Sequence, residues 1–271
     1  MGNALFIVWR ETIEAMLVIG ILHGWLSARP EARAGLPWLW GGIAAGLGLA
    51  VFLAMTIMDI QSWASGDALE WFQALMPLVA CGLIVQMVWW MRRHGAGLKK
   101  ELEAGMASAA ERANWLGMAV LAAVAVGREG AETVVFLYGA VKGSTNADIA
   151  LGGAAGFVLA LAAYWLLSRG SRFVSWRAFF RVTEVLLLLL GGALLVDGTE
   201  KLVGLEALPA LADPLWNTAP LLDDSTRAGG LVAAFTGYRA APSGMAYALL
   251  AVYWALALGV LLKLKPMRRK T

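Results

Sequence analysis

Cysteine and histidine are nearly missing from this chain of 271 residues. There is one cysteine, Cys81, and there are two histidines, His23 and His94. A disulfide framework and a Cys-cluster metal site are thereby excluded, and too few ligands remain for a buried bis-His haem pair within one helix bundle. Charge is scarce as well. Asp, Glu, Lys and Arg make up 15% of the residues, against about 25% in an average soluble domain. No basic segment precedes the first apolar stretch, which carries Arg10, Glu11 and Glu14 in its middle, so it reads as a retained helix and not as a signal peptide. Hydrophobic residues take the place of what is missing. They form 60% of the chain and give a mean hydropathy of +0.68, the composition of an integral membrane protein.

About 20 apolar residues in a helix cross roughly 30 Å of hydrocarbon. Windows of that length run from Ala4 to Ser27, Leu36 to Met58, Leu69 to Met91, Asn114 to Ala140, Ile149 to Ser168, Val182 to Val203 and Met245 to Leu262. The expected fold is therefore an all-α integral membrane protein with seven transmembrane helices. Most of the 22 Lys and Arg residues fall on one set of connections: Arg29 and Arg33, Arg92 to Arg112, Arg169 to Arg181, and Lys263 to Lys270. That basic side is cytoplasmic by the positive-inside rule, which puts the N-terminus outside and the C-terminus inside. The net charge of +3 thus has a topological explanation, and no nucleic-acid role follows. Acids collect on the opposite side, among them Asp197, Glu200, Asp223 and Asp224, and favour cations there.

Two connections stand out. Arg92 to Arg112 mixes charge with Leu98, Leu102 and Met106 and reads either as a short surface helix at the cytoplasmic interface or as a solvated loop. The outer segment from Gly204 to Gly244 contains Pro209, Pro214, Pro220 and Pro242 and reads as a long irregular loop, with a re-entrant candidate at Leu231 to Phe235. Thirteen tryptophans, including Trp89 and Trp90, lie largely near span ends, as in any interfacial belt. Met16, Met55, Met58 and Met87 read as packing or lipid-facing residues.

Charges inside the spans are the informative feature, since one at the bilayer centre costs about 2.5 to 3.5 kcal/mol on insertion scales. Span one reads Arg10-Glu11-Thr12-Ile13-Glu14 and span four reads Arg128-Glu129-Gly130-Ala131-Glu132. At about 100° per residue, the Arg and both Glu of each R-E-x-x-E fall within one arc. The i, i+4 spacing lets each Arg reach its second Glu. Span one enters from outside and span four leaves toward it, so both motifs come to one level near the midplane. If they face each other, four carboxylates surround one point, and Ile13 and Ala131 beside them are expected to be neighbours.

The same pairing divides the chain into residues 1–92 and 114–203, two three-helix halves of inverted topology with a site at their interface, followed by the outer loop 204–244 and a seventh helix with a basic tail, 245–271. Carboxylates without His or Cys suit hard cations. Four Glu and two Arg sum to −2, which fits Fe3+ but also Ca2+, Mn2+ or Fe2+. The competing structural reading has each Arg paired with its own Glu as packing glue, which two copies at matched depth make less economical. Glu184, close to Arg181 near the inner end of span six, reads as a paired or snorkelling residue before a ligand.

At these residues the sequence resembles the oxidase-dependent iron transporter family, which includes the fungal high-affinity iron permeases and bacterial relatives. The resemblance rests on the two R-E-x-x-E motifs, on seven spans with the N-terminus outside, and on Leu222-Asp223-Asp224-Ser225-Thr226 followed by Thr236-Gly237-Tyr238-Arg239-Ala240-Ala241-Pro242-Ser243. It covers nearly the whole chain. The resemblance implies permeation of Fe3+ produced by a separate ferroxidase, with Glu11, Glu14, Glu129 and Glu132 as iron ligands and Arg10 and Arg128 shaping the path. Where the family commonly has Gly-Leu or Gly-Phe between the acids, this chain has Thr12-Ile13 and Gly130-Ala131. A large soluble extension is not expected, so delivery falls to other proteins.

The reading is an iron permease of a bacterial cytoplasmic membrane, a transporter and not an enzyme. Iron is its cargo, no cofactor is permanently bound, and periplasmic iron-oxidising or copper-binding delivery proteins are the expected partners. Glu184, Asp223 and Asp224 are secondary site candidates, the last two as contacts for iron capture or docking on the outer loop. The rival within transport is a proton-coupled divalent-cation carrier for Fe2+ or Mn2+, whose Glu pairs alternate between metal and proton. A membrane di-iron enzyme is disfavoured, because that chemistry uses Glu-x-x-His pairs and no His lies near these acids.

Overall fold

Within hydrocarbon a backbone can satisfy its N–H and C=O groups only through itself, which makes each apolar window a helix. The computed structural model describes residues 2–94, 97–111, 114–140, 145–168 and 176–263. Among the described residues it is all-helical, with α1 (Gly2–Ser27), α2 (Leu36–Trp63), α3 (Asp67–His94), α4 (Leu98–Glu111), α5 (Trp115–Ala140), α6 (Asn146–Ser168), α7 (Trp176–Gly204), α8 (Arg227–Thr236) and α9 (Gly244–Lys263). The apolar windows fall on α1, α2, α3, α5, α6, α7 and α9. Among the described residues, four stretches are long and apolar enough to cross a membrane: Pro30–Trp63, Asp67–Arg93, Asn146–Leu166 and Phe180–Gly204. α9 contains a shorter one, Gly244–Gly259. α1 and α5 have 26 residues each, ample length for a span, but the motif puts three charges into each.

The largest interfaces pair α2 with α5, α1 with α6 and α3 with α7, and α1 also packs on α5. Lipid supplies no hydrophobic force between helices, so close backbone approach at small residues decides which helices meet. A methyl group placed on Gly42 of α2 would come within 2.2 Å of the Ala119 carbonyl oxygen of α5, and one on Gly46 within 2.8 Å of the Ala123 carbonyl. On α6, a methyl on Gly156 would meet the Leu5 carbonyl of α1 at 2.4 Å. These contacts expose a second internal similarity: Gly41-Gly42-Ile43-Ala44-Ala45-Gly46 in α2 and Gly152-Gly153-Ala154-Ala155-Gly156 in α6.

The two uncertain connections are both ordered by packing. The Arg92 to Arg112 segment contains α4, whose Leu102 and Met106 are buried against the C-terminal end of α1 and the N-terminal end of α5 with Leu22, Leu26 and Met118. Its apolar face is spent on protein and not on lipid. The segment from Gly204 to Gly244 is irregular except for α8. Thr226 then caps α8, its hydroxyl accepting the Gly229 N–H at 3.1 Å, and Gly237 ends the helix at φ 72°, a left-handed conformation that glycine adopts without penalty. Phe235 of α8 packs edge-on against Phe6 of α1 with ring centroids 6.3 Å apart, so the re-entrant candidate is a short helix over the outer end of α1. Arg112, Lys142, Arg169, Arg172 and the tail from Lys265 lie outside the described residues.

Candidate metal centre

Each motif faces inward because the residues between its acids are used elsewhere. Ile13 is fully buried against Ala160 of α6, and Gly130 lies against Ala50 of α2, where a methyl would approach the Ala50 side chain to 2.5 Å. Against the expectation that Ile13 and Ala131 are neighbours, the side chains packed with Ile13 are Ala160, Trp9, Leu17, Ala163 and Phe180, since a side chain one position from the second Glu points about 100° away from it. What remains on the inner arc of α1 and α5 is Arg10, Glu11, Glu14, Arg128, Glu129 and Glu132, all of them buried except the partly buried Arg128.

Glu11, Glu14 and Glu129 each offer a carboxylate oxygen, and these oxygens lie within 4.8 Å of one another. Two helices from different halves of the chain thus build one acidic point. Arg10 donates from Nη1 to Glu11 at 2.5 Å and its Nη2 pairs with Glu14, so a single guanidinium spans both acids of its motif. Arg128 donates from Nε to Glu132 at 2.8 Å. The fourth carboxylate is accordingly held by its own arginine and stands outside the group of three. Glu11 Oε2, Glu129 Oε2 and Glu132 Oε2 are buried and accept no hydrogen bond. A buried anionic oxygen without a donor is costly, and a cation drawn to this point would satisfy it. All the donors are carboxylate oxygens, a hard set that can hold an Fe, Mn or Ca ion.

Toward the N-terminal end of α1 and the C-terminal end of α5, a cavity of about 200 Å³ is lined by Asn3, Gly139, Ala140, Asp197, Asp224 and Arg239, among others. Gly139 lies seven residues beyond Glu132, roughly 10 Å by helix rise.

The chain matches the iron permease FTR1 family over residues 1–269. It belongs to that family. Among relatives, it is 27% identical over 242 residues to the ferrous iron permease EfeU of Escherichia coli O6:H1, covering 88% of this chain and 86% of that one. The ferrous iron permease EfeU of Escherichia coli O157:H7 is likewise 27% identical over 242 residues, and that of Yersinia pestis 24% over 243 residues, covering 88% and 84%. No solved structure matches.

In this FTR1-family chain the secondary candidates take distinct positions. Glu184 of α7 is ion-paired, as expected of it, but with Arg92 of α3. Asp224 accepts from Arg239 Nη1 at 3.2 Å, and Arg239 Nη2 reaches Asp197 at 2.9 Å. Lys201 Nζ pairs with Asp197 at 3.0 Å, and Glu200 accepts the Ser243 N–H at 2.8 Å. Several outer acids therefore fasten the outer segment to α7. Asp223 is the exception among the two loop candidates. Its Oδ1 accepts the Ser225 N–H at 2.8 Å, which lowers its pKa, and it remains open to solvent.

Sequence reasoning missed the neighbours of the arginines. Arg10 Nη1 lies 3.3 Å from Met87 Sδ and Nη2 3.4 Å from Met91 Sδ, and the Arg128 guanidinium carbon sits 4.5 Å from the centroid of the Trp90 ring. The signal that could have found them is the spacing 87, 90, 91, one face of a helix, in a span that also carries Arg92.

Proposed function

We propose that the protein imports iron across a bacterial cytoplasmic membrane, taking the ion through the acidic point formed by Glu11, Glu14 and Glu129, with Glu132 as the fourth ligand once Arg128 releases it. The observation that carries this reading is the convergence of three buried carboxylates from α1 and α5, two of them with an oxygen that accepts no hydrogen bond. Membership of an iron permease family supports iron as the cargo. The outer cavity is the entrance, and the ion passes from it along α5 to the carboxylates.

Seven spans in two inverted halves, residues 1–92 and 114–203, plus a seventh helix, are the architecture of this reading. Support comes from the exchange of partners, α1 on α6 and α2 on α5, which a two-fold relation between the halves requires, and from the glycine pattern shared by α2 and α6. The N-terminus lies outside by the distribution of Lys and Arg.

We take Fe2+ as the transported form. The four Glu and two Arg sum to −2, so a divalent ion brings the site to neutrality while a trivalent ion leaves a positive charge in a low-dielectric setting; the names of the relatives also favour the ferrous ion. A second reading, Fe3+ delivered by a partner ferroxidase, is favoured by the hardness of the all-carboxylate donor set. Purified protein in liposomes, offered Fe2+ under ascorbate or chelated Fe3+, separates them: saturable uptake of Fe2+ alone is expected. Glu14→Gln keeps shape but removes a charge that a hard cation needs and is expected to abolish uptake. Unchanged uptake by this variant overturns the ligand assignment.

A further inference from the structure

Both motif arginines lean on one helix that carries no acid at that level. Met87, Trp90 and Met91 of α3 fall within an arc of about 100°, and between them they touch Arg10 through two thioether sulfurs and Arg128 through an indole face. These partners are uncharged and polarizable. A thioether is a weak acceptor, and an indole face attracts a guanidinium without claiming its N–H fork. Each arginine is thus held, beside its carboxylates, by uncharged groups too weak to draw it away from them.

We propose that this face of α3 is the positioning element of the site: Met87 and Met91 seat Arg10, and Trp90 seats Arg128, so that each guanidinium neutralises its own motif without filling the cation position. The inference rests on the iron-permease reading above. Its physical content is a competition. A guanidinium with five N–H donors and only carboxylates around it would close over the acidic point, as a tethered cation that iron must displace. Seated on α3, Arg10 engages one oxygen of Glu11 and leaves Oε2 without a donor, and Arg128 does the same at Glu132. One residue further along α3, Arg92 pairs with Glu184 of α7, which fixes the rotational setting of the helix and with it the direction of the three seats. Met87, Trp90 and Met91 are positioning residues, and they act on affinity for the ion.

The test compares unsubstituted protein with Met87→Leu/Met91→Leu, Trp90→Leu and Trp90→Phe in liposomes, with iron uptake followed over a range of free Fe2+. Leucine conserves apolar volume at Met87 and Met91, so the packing is kept there while the sulfurs are lost; at Trp90 it removes the ring together with part of the volume, and Trp90→Phe, which keeps an aromatic face, separates the two losses. The half-saturating Fe2+ concentration is expected to rise roughly three- to thirtyfold for the double Met variant and for Trp90→Leu, the range of a partly desolvated cation–π contact, with the maximal rate within about twofold. Trp90→Phe retains an aromatic face and is expected to recover most of the affinity. Calorimetric titration of the detergent-solubilised variants with Fe2+ alone should show the same order. Unchanged half-saturation in all three variants overturns the inference, and so does a fall in maximal rate alone, which a merely structural role would give. If unsubstituted protein shows no saturable iron uptake, the underlying permease reading fails, a result distinguishable from the failure of α3 to matter.

Discussion

Replacing Arg10 by methionine separates the two motifs, which look equivalent in sequence and are not equivalent in structure. Arg10 is 1% exposed and spans Glu11 and Glu14, whereas the Arg128 side chain is 34% exposed and pairs with Glu132. Methionine keeps the length and the contact with Met87 and Met91 but leaves two buried carboxylates without their cation. Removing one partner of a buried ion pair costs about 3–5 kcal/mol. At Arg128 water screens the loss and one carboxylate is affected, so about 1–2 kcal/mol is expected. The difference of about 2 kcal/mol corresponds to roughly a thirtyfold shift in the folding equilibrium. Denaturant titration of iron-free protein in lipid nanodiscs, followed by tryptophan fluorescence, measures both variants under one condition. Adding Glu11→Gln and Glu14→Gln to Arg10→Met should restore most of the stability, because neither acid that Arg10 served is then left charged without its cation. Fe2+ should stabilise Arg10→Met more than unsubstituted protein, since the ion takes over the neutralising role. Equal losses at the two arginines, or no recovery in the triple variant, would refute the assignment of Arg10 as the shared counter-ion.

Arg10→Lys keeps the charge but replaces a planar fork that reaches two acids with a point charge; uptake is expected to fall at least severalfold in the liposome assay, and Arg128→Lys should do less harm. Gly156→Ala forces a methyl to 2.4 Å from the Leu5 carbonyl, where neither backbone can give way cheaply, and should destabilise the bundle by about 1–3 kcal/mol in the same nanodisc titration. Gly48→Ala, at a glycine with nothing near its Cβ position, serves as the control. Asp224→Asn should weaken the tie between the outer segment and α7 and speed proteolysis between Leu205 and Thr226, while Asp223→Asn, which loses only a local turn contact, should slow uptake at scarce iron and not at abundant iron if Asp223 is a capture group.

Hydropathy and motif spacing carried much of the design. The apolar windows become helices because a lipid-embedded backbone has no other way to satisfy itself, and the R-E-x-x-E spacing predicts the inward face of α1 and α5 because 3.6 residues per turn leaves little freedom. What periodicity does not carry is partner choice. Ile13 looked like a neighbour of Ala131 because both stand beside acids at one depth, yet the helix turns Ile13 onto Ala160 of α6. Trp90 looked like a belt residue from its place near a span end, and only its position against α5 shows it under Arg128. In sequence Asp224 reads as a contact for iron or a delivery protein, because its cation, Arg239, is distant along the chain and meets it only after α8 folds back. Glycines in apolar spans are common enough that the shared pattern in α2 and α6 acquires meaning only when their backbones are seen to touch α5 and α1.

The exchange of helices between the two halves also constrains how the chain is made. While the ribosome is still adding α4, the glycine stripe of α2 and the charged face of α1 are already in place, but the helices that cover them, α5 and α6, do not yet exist. A chain cut short after α3 would leave the Glu11 and Glu14 carboxylates and the glycine groove of α2 uncovered. The acidic centre therefore waits for α5, which packs on the glycines of α2 and brings Glu129 to Glu11 and Glu14, while the cover over α1 and α3 is completed only by α6 and α7.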